Sequence, residues 1–329
     1  MEFQQLDGTV TLLGADFAAV GATEILETGP GIVAGMTAGK KASVRRKRDP
    51  NEDAAVVVPA IEDGRLLMVA DSHFGDLASR VAVQQAPVRF AHADGPVHQR
   101  LFLTHYLIDE AIKDAKPPEA DPGCATTLLS VFMGRDRMFY CSSGDSYLWL
   151  IRDGRLIQIN QIERGVFLGE SHPNLFGLQG HLASYGLVDA LSSPLQIAMA
   201  SFVVSDLKVL AEKGRTNEDL VRERLDTLVR VTELHPKVAA EELLQPWHAL
   251  FLGMDHRVPD FGQLALAPGD LVFLATDGIE EEFSDCSLKK LETILTGAGD
   301  LEAKATKVMK ACMGWGGGRD NLAFLLAKA

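Results

Sequence analysis

The amino-acid sequence predicts an α+β fold. Three observations carry this. Short strand-like runs come in sets joined by tight turn signals, helical patterns lie between the sets rather than between single strands, and the 329 residues hold no internal repeat and no long linker. Segregated strands and helices favour α+β over a doubly wound sheet. With 47% hydrophobic residues, a chain this long can bury a large core without disulfides or a structural metal. One elaborated domain over 1–329 is expected.

The elements follow in order. Ala54–Val58 and Arg65–Ala70 read as strands around the turn Glu62-Asp63-Gly64. Asp76–Ala86 has a helical pattern, expected to stop before Pro87 because the residue preceding proline is steered out of the helical region. Val97–Lys113 places Leu101, Tyr106, Ile108 and Ile112 at roughly helical spacing. Ala125–Met133, Met138–Cys141 and Tyr147–Arg152 form a second strand set. They are separated by Gly134-Arg135-Asp136 and Ser143-Gly144-Asp145, and they read as an antiparallel meander. Leu271–Thr276 and Leu322–Leu326 form the third set, with helices expected at Ser287–Leu295 and Leu301–Met313 between them. About 165–250, which includes an apolar run at Ile197–Val204 and a charged helical pattern at Asn217–Leu234, reads as an insertion or flap.

Composition excludes several functions. With 32 basic and 45 acidic residues the net charge is −13, so nucleic-acid backbones and anionic membranes are repelled on average. Cys124, Cys141, Cys286 and Cys312 form no Cys-x-x-Cys pair and read as reduced, packed thiols of an intracellular protein. Met1–Asp7 lacks the basic start and apolar run of a secretory signal, and no apolar window is long enough to span a bilayer. A cytoplasmic location is expected.

Four aspartates share a setting at the ends of apolar strand runs. Asp53 opens AAVVV, Asp71 follows LLMVA, Asp277 follows LVFLAT, and Asp320 precedes the last strand run. Any one of them could simply cap a helix or start a turn. Together, if the strand ends converge, they make a self-repelling cluster that needs cations. An all-oxygen ligand set suits Mg²⁺ or Mn²⁺ rather than zinc. A pair of such ions can acidify a water and clamp a phosphoryl group.

The flanking residues sharpen this. Arg48…Asn51-Glu52-Asp53, Val69-Ala70-Asp71-Ser72-His73-Phe74-Gly75, Gly123-Cys124-Ala125-Thr126-Thr127, Ser143-Gly144-Asp145-Ser146, Leu274-Ala275-Thr276-Asp277-Gly278 and Arg319-Asp320-Asn321 follow one another in this order. Together they resemble the metal-dependent serine/threonine protein phosphatases of type 2C (PPM) in a divergent, bacterial-like form. The resemblance runs over roughly Gly31–Leu326, leaving out 165–250. It implies an αββα sandwich of two central antiparallel sheets flanked by helices, with two Mn²⁺ or Mg²⁺ ions at one edge. By the same resemblance Asp71 matches the bridging ligand, and Ser72 stands where a backbone carbonyl binds one ion. Asp277 and Asp320 match the remaining ligands of the first ion. Glu52 or Asp53 reaches the second, and the sequence does not separate them. Asp145 matches a position that holds a third, weaker ion with Asp277.

Arg48 matches the arginine that grips the substrate phosphate, a task suited to a guanidinium fork. Read bottom-up, it also ends a solvated basic run with Lys40, Lys41, Arg45, Arg46 and Lys47. His73 matches a histidine that protonates the leaving alkoxide, and its ordinary pKa suits that role. The implied activity is hydrolysis of phosphoserine and phosphothreonine monoesters by direct attack of a metal-bridging water. Its substrate would be a phosphoprotein, the target of a cognate Ser/Thr kinase. Two departures stand out. Asp71-Ser72-His73-Phe74-Gly75 replaces a glycine-rich turn whose backbone angles Ser72 and Phe74 would find costly. Gln158–Gly165 also lacks the family's Thr-x-Asp-His pattern. They keep open an alternative, a catalytically weak phosphatase-like regulatory or binding module. A metal-dependent nuclease would explain the carboxylates but not the flanking motifs.

Overall fold

The computed structural model describes residues 6–40, 49–120, 124–160, 162, 168, 259–280, 288–314 and 318–329. Its strands are β1 (Val10–Leu13), β2 (Glu24–Gly29), β3 (Ile32–Thr37), β4 (Asp53–Ile61), β5 (Gly64–His73), β6 (Ala125–Thr126), β7 (Leu128–Met133), β8 (Arg137–Ser143), β9 (Tyr147–Arg152), β10 (Arg155–Gln158), β11 (Asp260–Ala265), β12 (Leu271–Ala275) and β13 (Leu322–Lys328). The helices are α1 (Leu77–His92), α2 (Val97–Ala115), α3 (Leu288–Thr296) and α4 (Leu301–Cys312). Two antiparallel sheets form. The first has the order β1-β4-β5-β7-β8-β11 with β6 attached to β5, and the second has the order β10-β9-β12-β13-β3-β2.

Strand periodicity decides how they stack. Successive side chains of a strand point to opposite faces. In β4 and β5, Ala54, Val56, Val58, Leu66, Met68 and Ala70 pack with Ala82 and Phe90 of α1 and Leu101 and Ile108 of α2. The alternate residues Ala55, Val57, Leu67 and Val69 face the other way, against Val272, Leu274, Ala323 and Leu325 of the second sheet. That sheet's opposite face carries Trp149, Phe273 and Phe324 against Leu291 and Leu295 of α3 and Ala305 and Val308 of α4. The layers therefore run helix, sheet, sheet, helix. The sheets are apolar on both faces because each is covered on both, and the strand runs read as nearly continuous hydrophobic segments.

Several expectations are corrected. Helix α1 runs through Pro87 to His92 instead of stopping before it. An interior proline costs ~3 kcal/mol, but Val88 and Phe90 beyond it are 4% and 0% exposed. Burying two such side chains contributes about 1.5–3 kcal/mol each, so packing outweighs the lost hydrogen bond. The second strand set is no simple meander either: β7 and β8 pair in the first sheet, whereas β9 pairs with β10 and β12 in the second. The Ser143–Ser146 turn thus crosses between sheets, and a crossing uses the same turn chemistry as a hairpin. The insertion read at about 165–250 lies outside the described residues apart from Leu168, whose N–H and C=O bond Thr126. Cys124, Cys141 and Cys312 are buried thiols; Cys286 lies outside the described residues. Among the described residues no helix is long and apolar enough to cross a membrane.

One histidine is a buried strut. His105 of α2 is 0% exposed, with Nδ1 2.8 Å from Ser143 Oγ and Nε2 3.0 Å from Ser130 Oγ. Burial pushes its pKa down to about 3, so the ring stays neutral and ties α2 to β7 and β8.

Candidate metal centre

The same alternation that stacks the sheets brings the acidic residues to one end of the space between them. Asp53 continues the Ala55–Val57 face and Asp71 continues Leu67–Val69, so both belong to the inter-sheet side. They are directly opposite each other in the β4–β5 register and are 1% and 4% exposed. Like charges directly opposite across strands are destabilising. On the second sheet, Thr276 continues Val272–Leu274 and Asn321 precedes Ala323 on the same side. The sheets meet here: Thr276 Oγ1 donates to Asp53 Oδ2 at 2.7 Å.

Asn321 joins the segments. The backbone N–H of Glu52 donates to Asn321 Oδ1 at 2.9 Å, while Asn321 Nδ2 donates to the carbonyls of Pro50 (2.9 Å) and Ala38 (3.1 Å). Its own N–H donates to Asp320 Oδ1 at 2.8 Å. Asp277 follows β12 in a short 3-10 turn, and the next residue packs backbone to backbone against Asn321. A Cβ added to Gly278 would stand 1.8 Å from the Asn321 carbonyl oxygen. Only glycine permits that approach, which fixes the Asp277 and Asp320 turns side by side. Thr276 and Asn321 were legible only as neighbours of acidic residues; strand parity is the signal that marks them as facing the site.

Asp71 is held by its backbone. Its N–H donates to Thr127 Oγ1 at 2.9 Å, and its carbonyl accepts from the Thr127 N–H at 2.8 Å and from Thr126 Oγ1 at 3.0 Å. Thr127 Oγ1 also lies 2.9 Å from Ser146 Oγ. The half-buried Asp145 therefore stands on a turn one hydroxyl pair away from Asp71. Asp71 is not at a strand end as expected. β5 continues through Ser72 and His73, which pair with Thr126 and Ala125 of β6; a short partner strand on the other side prolongs it.

Glu52 and Asp53 are separated by their partners. Glu52 Oε1 accepts from the Gly75 N–H at 2.8 Å and the Asp49 N–H at 3.4 Å, so it braces the turn after β5. Asp49 Oδ2 accepts from the Asp76 N–H at 3.0 Å in the same turn. Ser72, fully buried, caps α1: its Oγ accepts from the Ser79 N–H at 2.9 Å, and Ser79 Oγ donates to the Glu52 carbonyl at 2.6 Å. Ser72 sits comfortably in extended backbone, and the cost foreseen for this turn falls on Phe74 alone, at φ 62°. A left-handed conformation there costs roughly 1–2 kcal/mol. His73 is half-buried beside it. Arg48 lies outside the described residues.

The donor set suits a hard cation. Oδ1 of Asp53, Asp71 and Asp277 is buried and accepts no hydrogen bond, while Asp53 and Asp71 make other polar interactions. Buried ionised carboxylates are costly unless paired or bound to metal. Among the described residues no three Asp, Glu, His or Cys side chains are drawn into a ready ion cage. The fit is one of donor chemistry and placement.

No family model and no curated protein matches the sequence. Solved structures do match. A bacterial serine phosphatase variant is similar at TM-score 0.55 and 15% identity, over 90% of this chain and 97% of that one. The catalytic domain of the serine/threonine phosphatase PstP, in complex with two manganese ions, is similar at TM-score 0.52 and 18% identity, over 93% and 99%. The serine/threonine phosphatase of S. agalactiae is similar at TM-score 0.52 and 15% identity, over 94% and 99%. The chain has the PPM phosphatase fold. The expected αββα architecture is present among the described residues, and the acidic turns lie at one end of its two sheets.

Proposed function

We propose that the chain is a metal-dependent phosphoprotein phosphatase that hydrolyses phosphoserine and phosphothreonine monoesters. The observation that supports this reading best is the meeting of the in-register Asp53–Asp71 pair with the Thr276–Asp277 and Asp320–Asn321 turns. The PPM fold of the described residues agrees with it. Asp71, Asp277 and Asp320 would hold one Mn²⁺ or Mg²⁺; Asp71, the Ser72 carbonyl and Asp53 would hold a second; Asp145 would serve a third. Asp53 is the better direct ligand of its pair, because Glu52 Oε1 already accepts two backbone N–H groups. Ions bound there would supply an acidified water and offset the charge of the phosphoryl group.

The chain's own residues do the rest. Arg48 orients the phosphate oxygens through its guanidinium fork. His73, as imidazolium, gives its proton to the departing Ser or Thr Oγ as the P–O bond breaks and the oxygen of water bonds phosphorus from the opposite side. Thr276 and Asn321 tie the second sheet to the segment that carries Glu52 and Asp53. The substrate would be a phosphoprotein made by a cognate Ser/Thr kinase in the cytoplasm. The 165–250 segment is assigned as a flap of the same phosphatase domain.

The test is p-nitrophenyl phosphate turnover with Mn²⁺, with and without chelator, for the wild type and Asp71→Asn. Turnover should need the metal and fall on the order of 10³-fold in the variant, the scale for removing an electrostatic transition-state group. Mn²⁺ should also raise the melting temperature of the wild type and not of the variant. Full activity in Asp71→Asn overturns the reading. Mn²⁺ binding with no turnover under any condition favours the regulatory module instead.

A further inference from the structure

Among the described residues, three that are not glycine have positive φ: Glu62 (54°), Phe74 (62°) and Asp153 (51°). Glu62 and Asp153 stand in the β4–β5 and β9–β10 turns, where short hairpins require such angles, and aspartate is one of the residues that tolerates them. Phe74 turns no hairpin. A bulky side chain is a genuine outlier there, and glycine would sit without strain. Burial does not offset the strain either, because Phe74 is 53% exposed. Neither backbone preference nor the core accounts for a phenylalanine at this place.

The surroundings hold the strained backbone from both sides. His73 pairs with Ala125, and the two N–H groups that follow Phe74 are held by carboxylates, Gly75 N–H by Glu52 Oε1 (2.8 Å) and Asp76 N–H by Asp49 Oδ2 (3.0 Å). The clamps come from the segment that carries Asp53, and Phe74 is three residues beyond Asp71. The backbone that carries this exposed aromatic side chain is thereby held in place three residues from Asp71. Strain persists where its surroundings over-determine it, and it gathers at ligand clamps.

We propose that Phe74 determines substrate choice. Its ring is an apolar platform for the side chain next to the phosphorylated residue, so the site favours phosphopeptides whose phosphoserine or phosphothreonine is flanked by apolar or aromatic residues. This rests on the phosphatase reading for the phosphate, but the ring contact does not depend on turnover. The probes are two phosphothreonine peptides of equal length and charge, one with leucine on both sides of the phosphothreonine and one with glycine. Their kcat/KM with Mn²⁺ is compared for the wild type, Phe74→Gly and Phe74→Leu, and their binding is read by fluorescence anisotropy. The wild type should favour the leucine peptide about tenfold, the low end for apolar discrimination because the ring is half open to water. The preference should appear in KM, shrink below about twofold in Phe74→Gly, and largely return in Phe74→Leu. Glycine relieves the backbone, so Phe74→Gly should fold with a melting temperature no lower than wild type. Hydrolysis of both peptides without preference, or a preference unchanged in Phe74→Gly, overturns the proposal and leaves the phosphatase reading intact. If neither peptide is hydrolysed, the phosphatase reading falls, and the anisotropy ratio alone supports or overturns the platform.

Discussion

Strand β12 carries an aspartate just outside each end, and the two are treated in opposite ways. Asp270, before the strand, is 3% exposed and lies in the fork of Arg152: Nε donates to Oδ1 at 3.0 Å and Nη2 to Oδ2 at 2.5 Å. The Ala267 N–H adds a bond to Oδ2 at 2.7 Å. Asp277, after the strand, has a buried Oδ1 that accepts no hydrogen bond. Its neighbour Asp53 meets the hydroxyl of Thr276. At one end the fold neutralises its acid internally with a base. At the other it gathers acids: Asp53 and Asp71 stand opposite each other, and the Oδ1 atoms of Asp53, Asp71 and Asp277 are buried and accept no hydrogen bond. One strand thus has at one end a charge answered by an arginine of the fold and at the other a buried carboxylate oxygen that accepts no hydrogen bond.

The contrast can be broken at either end. Asp277→Asn should cost the most activity, on the order of 10³-fold with Mn²⁺, yet the metal-free melting temperature should hold or rise because a repelling charge is gone. A melting scan with and without Mn²⁺ checks both, and a large loss of metal-free stability would mean that Asp277 is structural after all. Asp270→Asn should do the reverse. Splitting the pair should cost about 1–3 kcal/mol, discounted because the Arg152 side chain is 32% exposed, and the response to Mn²⁺ should persist.

The pH dependence of Asp270 follows from its partner. The Arg152 hydrogen bond holds its carboxyl below the ordinary 3.8. The pair's stabilisation is therefore complete above the unfolded carboxyl's pKa and is lost as pH falls through the lower, folded one. Denaturant melts from pH 6 downward should steepen below about pH 4 in the wild type and less so in Asp270→Asn. The smallest effect is expected for Thr276→Val, which removes the hydroxyl from Asp53 and should cost about 1 kcal/mol of stability. Activity should fall roughly tenfold, the scale for an outer-shell partner of a metal ligand. Activity unchanged in that variant would show that the Thr276–Asp53 bond does not orient the carboxylate.

Much of the fold was legible because it lies in local pattern. The run through Ala54–Val58 and Arg65–Ala70, with a turn of the right chemistry between, gives β4 and β5 and their pairing. What stayed hidden needed knowledge of the neighbours. β2 is polar and half-exposed, so its sequence carries little strand signal until β3 provides its hydrogen bonds. The passage of α1 through Pro87 depends on what Val88 and Phe90 bury against. The departure of β9 into the second sheet depends on which edge was free. In the site, the four aspartates were visible as a type of residue in a type of place. Asn321 and Thr276 gain meaning only across the gap between sheets, and the division between Glu52 and Asp53 appears only when the Gly75 N–H takes one of them.

Sequence alone determined the α+β class, the strand-and-turn grammar and the identity of the acidic residues, because these depend on side-chain chemistry and on spacing within one stretch of chain. The tertiary structure decided which faces meet, that Asp53 and Asp71 stand opposite each other in register, and that Phe74 rather than Ser72 bears the backbone strain. Those outcomes come from pairings between segments tens to hundreds of residues apart, where the energy of contact is not written in either segment by itself.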